Sequence, residues 1–375
     1  MPLGSSEDSK GDLETAGRGA LVAGFEVRYR QILDHRAQLV APLPDFAHDT
    51  QTLQQMYRAC VRTREFDAKA VALQRTGQLG TYPSSLGQEA TAVGTAMAMR
   101  TDDVLLPTYR ETGTMLCRGV RMTDILLYWG GDERGMAYAQ PAQDFPICVP
   151  IATHAPHAVG VAYAMKHRGE QRAAVCALGD GATSKGDFYE ALNAAGVWQL
   201  PLLFVVVNNQ WAISVPRAKQ SRAATLAQKA IAAGIPCEQV DGNDVIAVRQ
   251  STHEALQRAR GGAGPYLIEA LTYRMADHTT ADDARRYRSD AELRQQLDFD
   301  PVKRQRSYLQ NLGAWSQAQE KAMLADIREE IELAVAAYLS TPARAPATIF
   351  DHLFETLPAA LQAQRDRLAK GDVDG

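Results

Sequence analysis

Apolar positions recur at helical spacing in the first third of the chain. Between Thr50 and Gly77 they return every three or four residues, which is the period of an amphipathic helix, and Gly77 is placed to end it. Ser85 and Gln88 have the spacing of a capping box. We therefore predict a second helix over residues 86–99.

Further along, short apolar runs alternate with helical patterns. The predicted strands are 103–107, 173–178, 201–207, 238–240 and 266–273, and the helices include 187–197, 245–259 and 316–338. Strands joined by helices form right-handed parallel units. The pattern predicts an α/β fold with a doubly wound, mostly parallel sheet flanked by helices, and with helical N- and C-terminal extensions. The expected organisation is a disordered arm over 1–24, the α/β domain over 25–340 and a helical tail over 341–375.

Composition narrows the classes of partner. The 375 residues are 46% hydrophobic and 22% charged, with a net charge of −4 and no basic stripe, which disfavours nucleic acid. No apolar run is long enough for a membrane helix. The five cysteines lack metal or dithiol spacing, and the polar, acidic first twenty residues do not resemble a targeting signal. We expect a cytoplasmic protein with free thiols.

Polar residues follow two successive predicted strands. Gly179-Asp180-Gly181 ends one strand, and Asn208 and Asn209 end the next. Since parallel strands of one unit end at the same edge of the sheet, Asp180 and Asn209 are expected to converge. A carboxylate and an amide oxygen suit Mg²⁺ that keeps phosphate and water as its other ligands. Either motif alone could be only a turn or a strand end.

The residues around this motif favour an anion. Gly179 and Gly181 are expected to let the backbone turn sharply and approach phosphate oxygens, and a helix starting near 185–187 is expected to add its positive end. Lys185 precedes Gly186 rather than following it, so the run has neither Walker-loop nor dinucleotide-fingerprint spacing. A nucleotide is therefore disfavoured.

The chain resembles a known family at this motif. GDG, about 26 intervening residues and NN form a pattern similar to that of thiamine diphosphate enzymes. The longer stretch LGDGATSKGDFYEALNAAGVWQLPLLFVVVNNQWAISVP resembles the alpha subunits of pyruvate and branched-chain 2-oxo acid dehydrogenases. LLPTYRETG, CVPIATHAPHAVG, QVDGNDVIAV and LIEALTYRMADHTTADDARRYRS extend the resemblance over nearly the whole chain after Phe25.

The resemblance implies a set of cofactor residues. It makes Asp180, the Asn209 side chain and the Trp211 backbone carbonyl the Mg²⁺ ligands, although Trp211 stands where the family usually has Tyr. The implied thiamine diphosphate contacts are Tyr109, Arg110, Val149, Ile151, Gly179, Asp180, Gly181, Ala182, Asn209, Trp211 and His278. Within this set Gly181 and Ala182 line the diphosphate, and Arg110 reaches its terminal phosphate, which its planar fork fits. Val149 and Ile151 match the segment beside the aminopyrimidine and thiazolium rings.

His278 is the expected catalytic residue. The family places a histidine here near the reacting carbon, and an imidazole can exchange protons near neutral pH. The resemblance also implies that the charged loop after His278 orders over the cofactor and helps to dock a lipoyl domain. In animal relatives this loop is a phosphorylation target, and Thr279 stands where relatives often carry serine. His154 and His157 have a spacing that could hold a metal, but no third ligand is in sight, so we favour packing or indirect roles.

The resemblance implies partners as well. In two-chain relatives the glutamate that activates the cofactor belongs to a beta subunit, so the expected assembly is a heterotetramer of two alpha and two beta chains that serves a lipoyl-bearing acyltransferase. The implied reaction is decarboxylation of a 2-oxo acid and reductive acylation of lipoamide. Pyruvate is favoured and a branched-chain 2-oxo acid is the alternative. A self-sufficient thiamine enzyme and a non-catalytic scaffold subunit remain as competing hypotheses.

Overall fold

A computed structural model describes residues 21–370. Most of the predicted arm, residues 1–20, lies outside this part, and residues 21–24 are exposed and without regular structure. The helices are α1 Thr50–Arg75, α2 Glu89–Ala98, α3 Thr112–Arg118, α4 Met122–Trp129, α5 His154–His167, α6 Gly186–Trp198, α7 Arg217–Gln220, α8 Val245–Arg260, α9 Asp290–Gln296, α10 Pro301–Asn311, α11 Gln317–Leu339 and α12 Ala359–Lys370.

The strands form a parallel sheet and one small hairpin. They are β1 Arg28–Arg30, β2 Val104–Leu106, β3 Ala174–Gly179, β4 Leu202–Asn208, β5 Trp211–Ala212, β6 Val215–Pro216, β7 Cys237–Asp241 and β8 Tyr266–Leu271. The main sheet has the order β1-β7-β8-β4-β3-β2, and all its pairs are parallel, whereas β5 and β6 pair antiparallel. The predicted α/β fold with a parallel sheet flanked by helices is confirmed.

Both faces of the sheet are covered, which explains why its central strands are continuous apolar runs. Val175 and Val205 face a core cluster that includes helices α1 and α8, while their neighbours Cys176 and Phe204 face a second cluster with α5 and α6. All five cysteines are free. None of the described helices is both long and apolar enough to cross a bilayer.

The predicted capping box at Ser85 and Gln88 is wrong. Helix α2 begins at Glu89, and Gln88 precedes it without a capping hydrogen bond from its side chain. Ser85 instead donates its backbone N–H (2.7 Å) and its hydroxyl (3.1 Å) to Asp67 of α1. Tertiary hydrogen bonding has replaced the local cap, so residues 82–88 form an ordered loop rather than the first turn of a helix.

Helices α2 and α8 pack closely enough to require a glycine. A Cβ placed on Gly94 would lie 2.8 Å from the Val248 Cβ and 3.0 Å from the Arg249 backbone nitrogen. We predict that Gly94→Ala lowers the free energy of unfolding by about 1–3 kcal/mol, the usual cost of overpacking. Gly160→Ala, in the exposed face of α5 where a Cβ meets nothing within 4 Å, is the matched control and should stabilise the helix slightly. Urea unfolding measures both, and equal effects would contradict the packing argument.

Candidate functional site

The ends of β3 and β4 lie side by side. Gly179 pairs in register with Val207, so Asp180 and Asn208 are the next residues on two adjacent parallel strands. The Asn208 amide is directed to a buried carboxylate, donating to Glu269 at 2.6 Å. Asn209 lines the cavity beyond the strand ends together with Asp180. Asp180 and Asn209 therefore line the same cavity at one edge of the sheet, where the sequence places them.

That cavity has a volume of about 540 Å³, within the usual range for a cofactor or small-molecule site. Its walls come from strand ends, the loop before α2, the segment before α5 and the loop after β8. It brings together all the residues that the sequence pointed to, namely Tyr109, Arg110, Val149, Ile151, Gly179, Asp180, Gly181, Ala182, Asn209, Trp211 and His278.

Asp180 is a buried carboxylate with a single side-chain partner. Asp180 is 2% exposed, and the side-chain amide of Gln220 of α7 donates to one of its carboxylate oxygens at 2.7 Å. Burial raises the pKa of Asp180, while the Gln220 hydrogen bond opposes that rise. A buried carboxylate with so few donors favours a bound cation, which would supply the missing opposite charge.

Two further residues that line the cavity with Asp180, namely Asn209 and Trp211, carry oxygen atoms suited to a hard cation. The Asn209 side-chain oxygen accepts from the Trp211 N–H at 3.2 Å, and the Trp211 carbonyl accepts from Arg274 at 3.3 Å. Each oxygen keeps a second lone pair. Gly181 is required for packing here, since a Cβ would lie 2.8 Å from the Cβ of Ala212. Among residues 21–370 no group of three or more His, Cys, Asp or Glu side chains is placed to hold a metal.

Two expectations about this turn need correction. Gly179 has an ordinary φ of −81° and no atom within 4 Å of a hypothetical Cβ, so the fold itself does not require glycine there. A 3₁₀ turn, Asp180–Ser184, separates β3 from α6, and the residues of this segment that line the cavity end at Ala182. Backbone groups of the turn, rather than the start of α6 near 185–187, therefore face the cavity.

Three buried arginines lie at or behind the cavity wall. Arg110, Arg274 and Arg288 are 7%, 0% and 8% exposed. They donate mainly to carbonyl oxygens: Arg110 to those of Ser84 and His278, Arg274 to that of Ile213, and Arg288 to that of Met275. In the part of the chain described, none of the three forms an ion pair with a carboxylate.

Within residues 21–370, these three guanidinium groups are therefore buried without a directly paired carboxylate. Burying a guanidinium without a counterion is costly, and hydrogen bonds to carbonyls offset only part of that cost. Ordinary structural arginines elsewhere in the same chain do have carboxylate partners, as Arg260 does in Asp103 and Arg304 does in Asp241. The contrast indicates an anion-binding site at the end of the cavity that Arg110 lines.

His278 is neutral in this environment. Its Nδ1 lies 3.2 Å from a nitrogen of Arg110 and 3.4 Å from one of Arg274. Because guanidinium groups only donate, Nδ1 must accept, and the single proton of the neutral ring lies on Nε2. Burial and the charges of the two arginines lower the pKa of His278 to about 4, although Asp282 partly opposes them.

The loop that carries His278 is ordered by its own side chains. Asp282 accepts from the His278 N–H at 3.0 Å and from the Tyr287 hydroxyl. Tyr287 also accepts from Arg274 at 2.8 Å. Thr280 joins the loop to the segment before α2, since Tyr82 and Thr280 exchange hydrogen bonds of 3.0 and 2.9 Å. His278 and Thr279, at the start of the charged loop, therefore line the cavity, and Asp282 ties the following residues to them.

The segment before α5 forms the open side of the cavity. Val149 and Ile151 are 46% and 43% exposed although they line it. His154 is buried against the Ala177 carbonyl at 2.6 Å, whereas His157 is exposed, so the two do not converge. Further apolar side chains are exposed on α5 and α6: Tyr163, Tyr189, Val197 and Trp198.

Sequence reasoning missed several residues that support the site. Gln220 and Arg274 contact residues of the cavity wall, and Asp67 contacts segment 82–85 beside it, but none of the three belongs to a recognisable spacing around the Gly-Asp-Gly or Asn-Asn motifs. Glu111 was also missed. It lines the cavity but its carboxylate is engaged by the Thr108 hydroxyl of its own turn, and burial raises its pKa.

Comparisons with known proteins agree with this architecture. The family model described as "Dehydrogenase E1 component" matches residues 57–347. The chain is 44% identical over 321 residues, 85% of this chain and 87% of the relative, to "3-methyl-2-oxobutanoate dehydrogenase subunit alpha" of Mycobacterium tuberculosis. It is 40% identical over 322 residues (85% and 93%) to "Pyruvate dehydrogenase E1 component subunit alpha" of Acholeplasma laidlawii. The protein of that name from Staphylococcus aureus is 38% identical over 337 residues (89% and 90%).

The chain belongs to the dehydrogenase E1 component family. Within that family it is an E1 alpha subunit of a 2-oxo acid dehydrogenase. The family implies thiamine diphosphate as the cofactor, and alpha subunits of this kind generally pair with an E1 beta subunit in a complex built on an acyltransferase core.

The low pKa of His278 has a consequence for stability. Its folded value, about 4, lies below the usual 6.5, so the unfolded chain binds more protons between these values and stability falls as pH drops through that window. We predict that His278→Gln, which cannot be protonated, reduces the loss of unfolding free energy between pH 7 and pH 5. Urea titrations at the two pH values measure it, with the exposed His157→Gln as control. An unchanged pH dependence in His278→Gln would contradict a buried neutral imidazole.

Proposed function

We propose that this chain holds the Mg²⁺-diphosphate end of thiamine diphosphate in the cavity between β3 and β4, and that with a beta subunit it decarboxylates a 2-oxo acid and acylates lipoamide reductively. The observation that carries the proposal is that one cavity offers ligands for a cation and also donors for an anion. Asp180 and Asn209 offer oxygen ligands to a cation, and Arg110 lies among arginines that lack carboxylate partners.

The residues present fit such a cofactor. In a diphosphate that carries Mg²⁺, the metal would be coordinated by the buried Asp180, and the phosphate oxygens would accept hydrogen bonds from the buried arginines. The absence of a Cβ at Gly179 leaves open space beside the backbone at the strand end. The proposed metal ligands are Asp180, the side-chain oxygen of Asn209 and the carbonyl of Trp211, whose other lone pair accepts from Arg274.

The cofactor supplies the carbanion chemistry at its thiazolium ring, and the chain supplies binding, orientation and a proton. Arg110 is already fixed by the Ser84 and His278 carbonyls, so little side-chain freedom is lost when it meets a phosphate. His278 holds a proton on Nε2, which can be donated to an oxygen that gains negative charge. Tyr109 packs edge-on against this ring with centroids 6.0 Å apart and limits its rotation.

Several observations favour a beta partner. Apolar side chains beside the cavity mouth, Val149 and Ile151, are exposed, and α5 and α6 carry further exposed aromatic and aliphatic side chains. Of the carboxylates that line the cavity, Asp180 is the proposed metal ligand and Glu111 is tied to Thr108. An activating glutamate from another chain fits this arrangement better than the self-sufficient hypothesis. The proposed assembly is a heterotetramer of two alpha and two beta chains that is visited by a lipoyl domain.

Two substrates are proposed in order. Pyruvate is the first, on the resemblance of YPSSLGQEA and GDGATSKGDFYEA to bacterial pyruvate enzymes. A branched-chain 2-oxo acid is the second, and the 44% identity to a 3-methyl-2-oxobutanoate dehydrogenase subunit favours it. The two differ in the bulk of the acyl side chain, and the beta subunit is expected to contribute to the part of the pocket that contacts it.

The metal role of Asp180 gives a direct test. We predict that Asp180→Asn, in the complex with the beta chain, weakens thiamine diphosphate binding in the presence of Mg²⁺ at least a hundredfold, about 3 kcal/mol, because an anionic metal ligand is lost. Asp187→Asn, on α6 seven residues later, is the matched control and should bind as the wild type does. Isothermal titration calorimetry measures both, and equal affinities for wild type and Asp180→Asn would refute the proposed site.

The substrate order is tested with the reconstituted alpha and beta chains. We predict that kcat/KM for pyruvate exceeds that for 3-methyl-2-oxobutanoate by roughly tenfold or more, since discrimination by a few methyl groups is of this size. The reverse ratio would assign the chain to branched-chain 2-oxo acids. Turnover by the alpha chain alone would contradict the two-chain proposal and restore the self-sufficient hypothesis, whereas a complex inactive on every 2-oxo acid would favour the scaffold hypothesis.

A further inference from the structure

A buried carboxylate on α1, Asp67, is bonded entirely to one short segment of chain. It is 3% exposed and accepts from the Tyr82 hydroxyl (3.2 Å), the Ser84 hydroxyl (2.5 Å), the Ser85 N–H (2.7 Å) and the Ser85 hydroxyl (3.1 Å). In the described part of the chain it forms no ion pair. Four donors from Tyr82, Ser84 and Ser85 therefore bind its two carboxylate oxygens.

The segment that Asp67 holds, residues 82–85, is in contact with two parts of the candidate site. The Ser84 carbonyl accepts from Nη1 of Arg110. The Tyr82 N–H donates to the Thr280 hydroxyl oxygen at 3.0 Å and the Thr280 N–H donates to the Tyr82 carbonyl at 2.9 Å, which joins the segment to the loop that carries His278. Pro83 itself lines the cavity. The segment thus lies between Asp67 on one side and the anion-binding arginine and the His278 loop on the other.

The position of this carboxylate is not explained by packing of α1. An apolar side chain at the same helical position could be buried without losing any hydrogen bond to water. A carboxylate loses its hydrogen bonds to water on burial and must replace them inside the protein. All four bonds that it recovers go to segment 82–85, and none goes to the backbone of α1. Its effect is to fix the conformation of that segment, and through it the Ser84 carbonyl and the Tyr82 backbone.

We propose that Asp67 is a positioning residue that fixes segment 82–85 and thereby holds both Arg110 and the His278 loop in their binding geometry. The inference rests on the proposed function of the cavity but concerns a residue outside it. Asp67 touches neither cofactor nor substrate and acts through the Ser84 carbonyl and the Tyr82–Thr280 pair.

The test measures loop order and cofactor binding separately in the alpha-beta complex. In Asp67→Ala all four acceptor bonds are lost, and we expect amide hydrogen exchange over residues 80–86 and 276–288 to rise about tenfold or more without cofactor. Thiamine diphosphate affinity should fall by a similar factor. Asp67→Asn keeps one carbonyl oxygen for the Ser85 N–H and should restore most of both. Ser84→Ala removes one bond and should move both readouts in the same direction by less.

The control is another buried carboxylate that accepts four hydrogen bonds but lies away from the cavity. Asp244 accepts only from backbone N–H groups, those of Ile32, Leu33, Ile246 and Ala247. Asp244→Ala should lower global stability without a selective rise in exchange over residues 276–288. Unchanged exchange of that loop in Asp67→Ala, or an equal rise in Asp244→Ala, would overturn the proposal. If the wild-type complex fails to bind thiamine diphosphate, the proposed function fails, while the exchange data still decide whether Asp67 orders the loop.

Discussion

The pairing of β3 with β4 is the constraint on which the rest of the site depends. In-register parallel pairing of Gly179 with Val207 makes the two strands end at the same level. The next residues then leave the sheet together, with Asn208 engaged by Glu269 and Asn209 at the cavity beside Asp180. A shift of one residue in either strand would exchange these faces, since side chains alternate along a strand. The apolar cores on both faces of the sheet prevent that shift.

The electrostatics of the cavity follow from what surrounds those strand ends. A buried carboxylate at Asp180 favours a cation, while Arg110, Arg274 and Arg288 favour an anion. Burial, together with the charges of Arg110 and Arg274, lowers the pKa of His278. A simple cation or a simple anion would satisfy only one side. A diphosphate that carries its own divalent ion supplies a cation for Asp180 and an anion for the arginines. In the described residues, no ion pair between these arginines and a carboxylate has to break before it binds.

Much of this could be predicted from local sequence. Continuous apolar runs predicted the buried parallel strands, because both faces of the sheet are covered. The Gly-Asp-Gly and Asn-Asn motifs indicated where two of those strands end. The failures share a different cause. Ser85 was predicted as a helix cap because its spacing to Gln88 is local, but it bonds to Asp67 eighteen residues earlier. Arg274 and Gln220 gain their roles only when β8 and the β5–β6 hairpin fold against β3 and β4. Long-range contacts of this kind leave no periodicity in the sequence.

We propose that Asp180 and Asn209 together hold a divalent ion that carries the diphosphate of the cofactor. The most direct measurement is anomalous diffraction from crystals of the alpha-beta complex grown with thiamine diphosphate and Mn²⁺ in place of Mg²⁺. We predict one strong anomalous peak within coordination distance of the Asp180 carboxylate, the Asn209 side-chain oxygen and the Trp211 carbonyl, with phosphate oxygens completing the shell. Bound cofactor with no peak between these residues, or a peak held by other side chains, would contradict it.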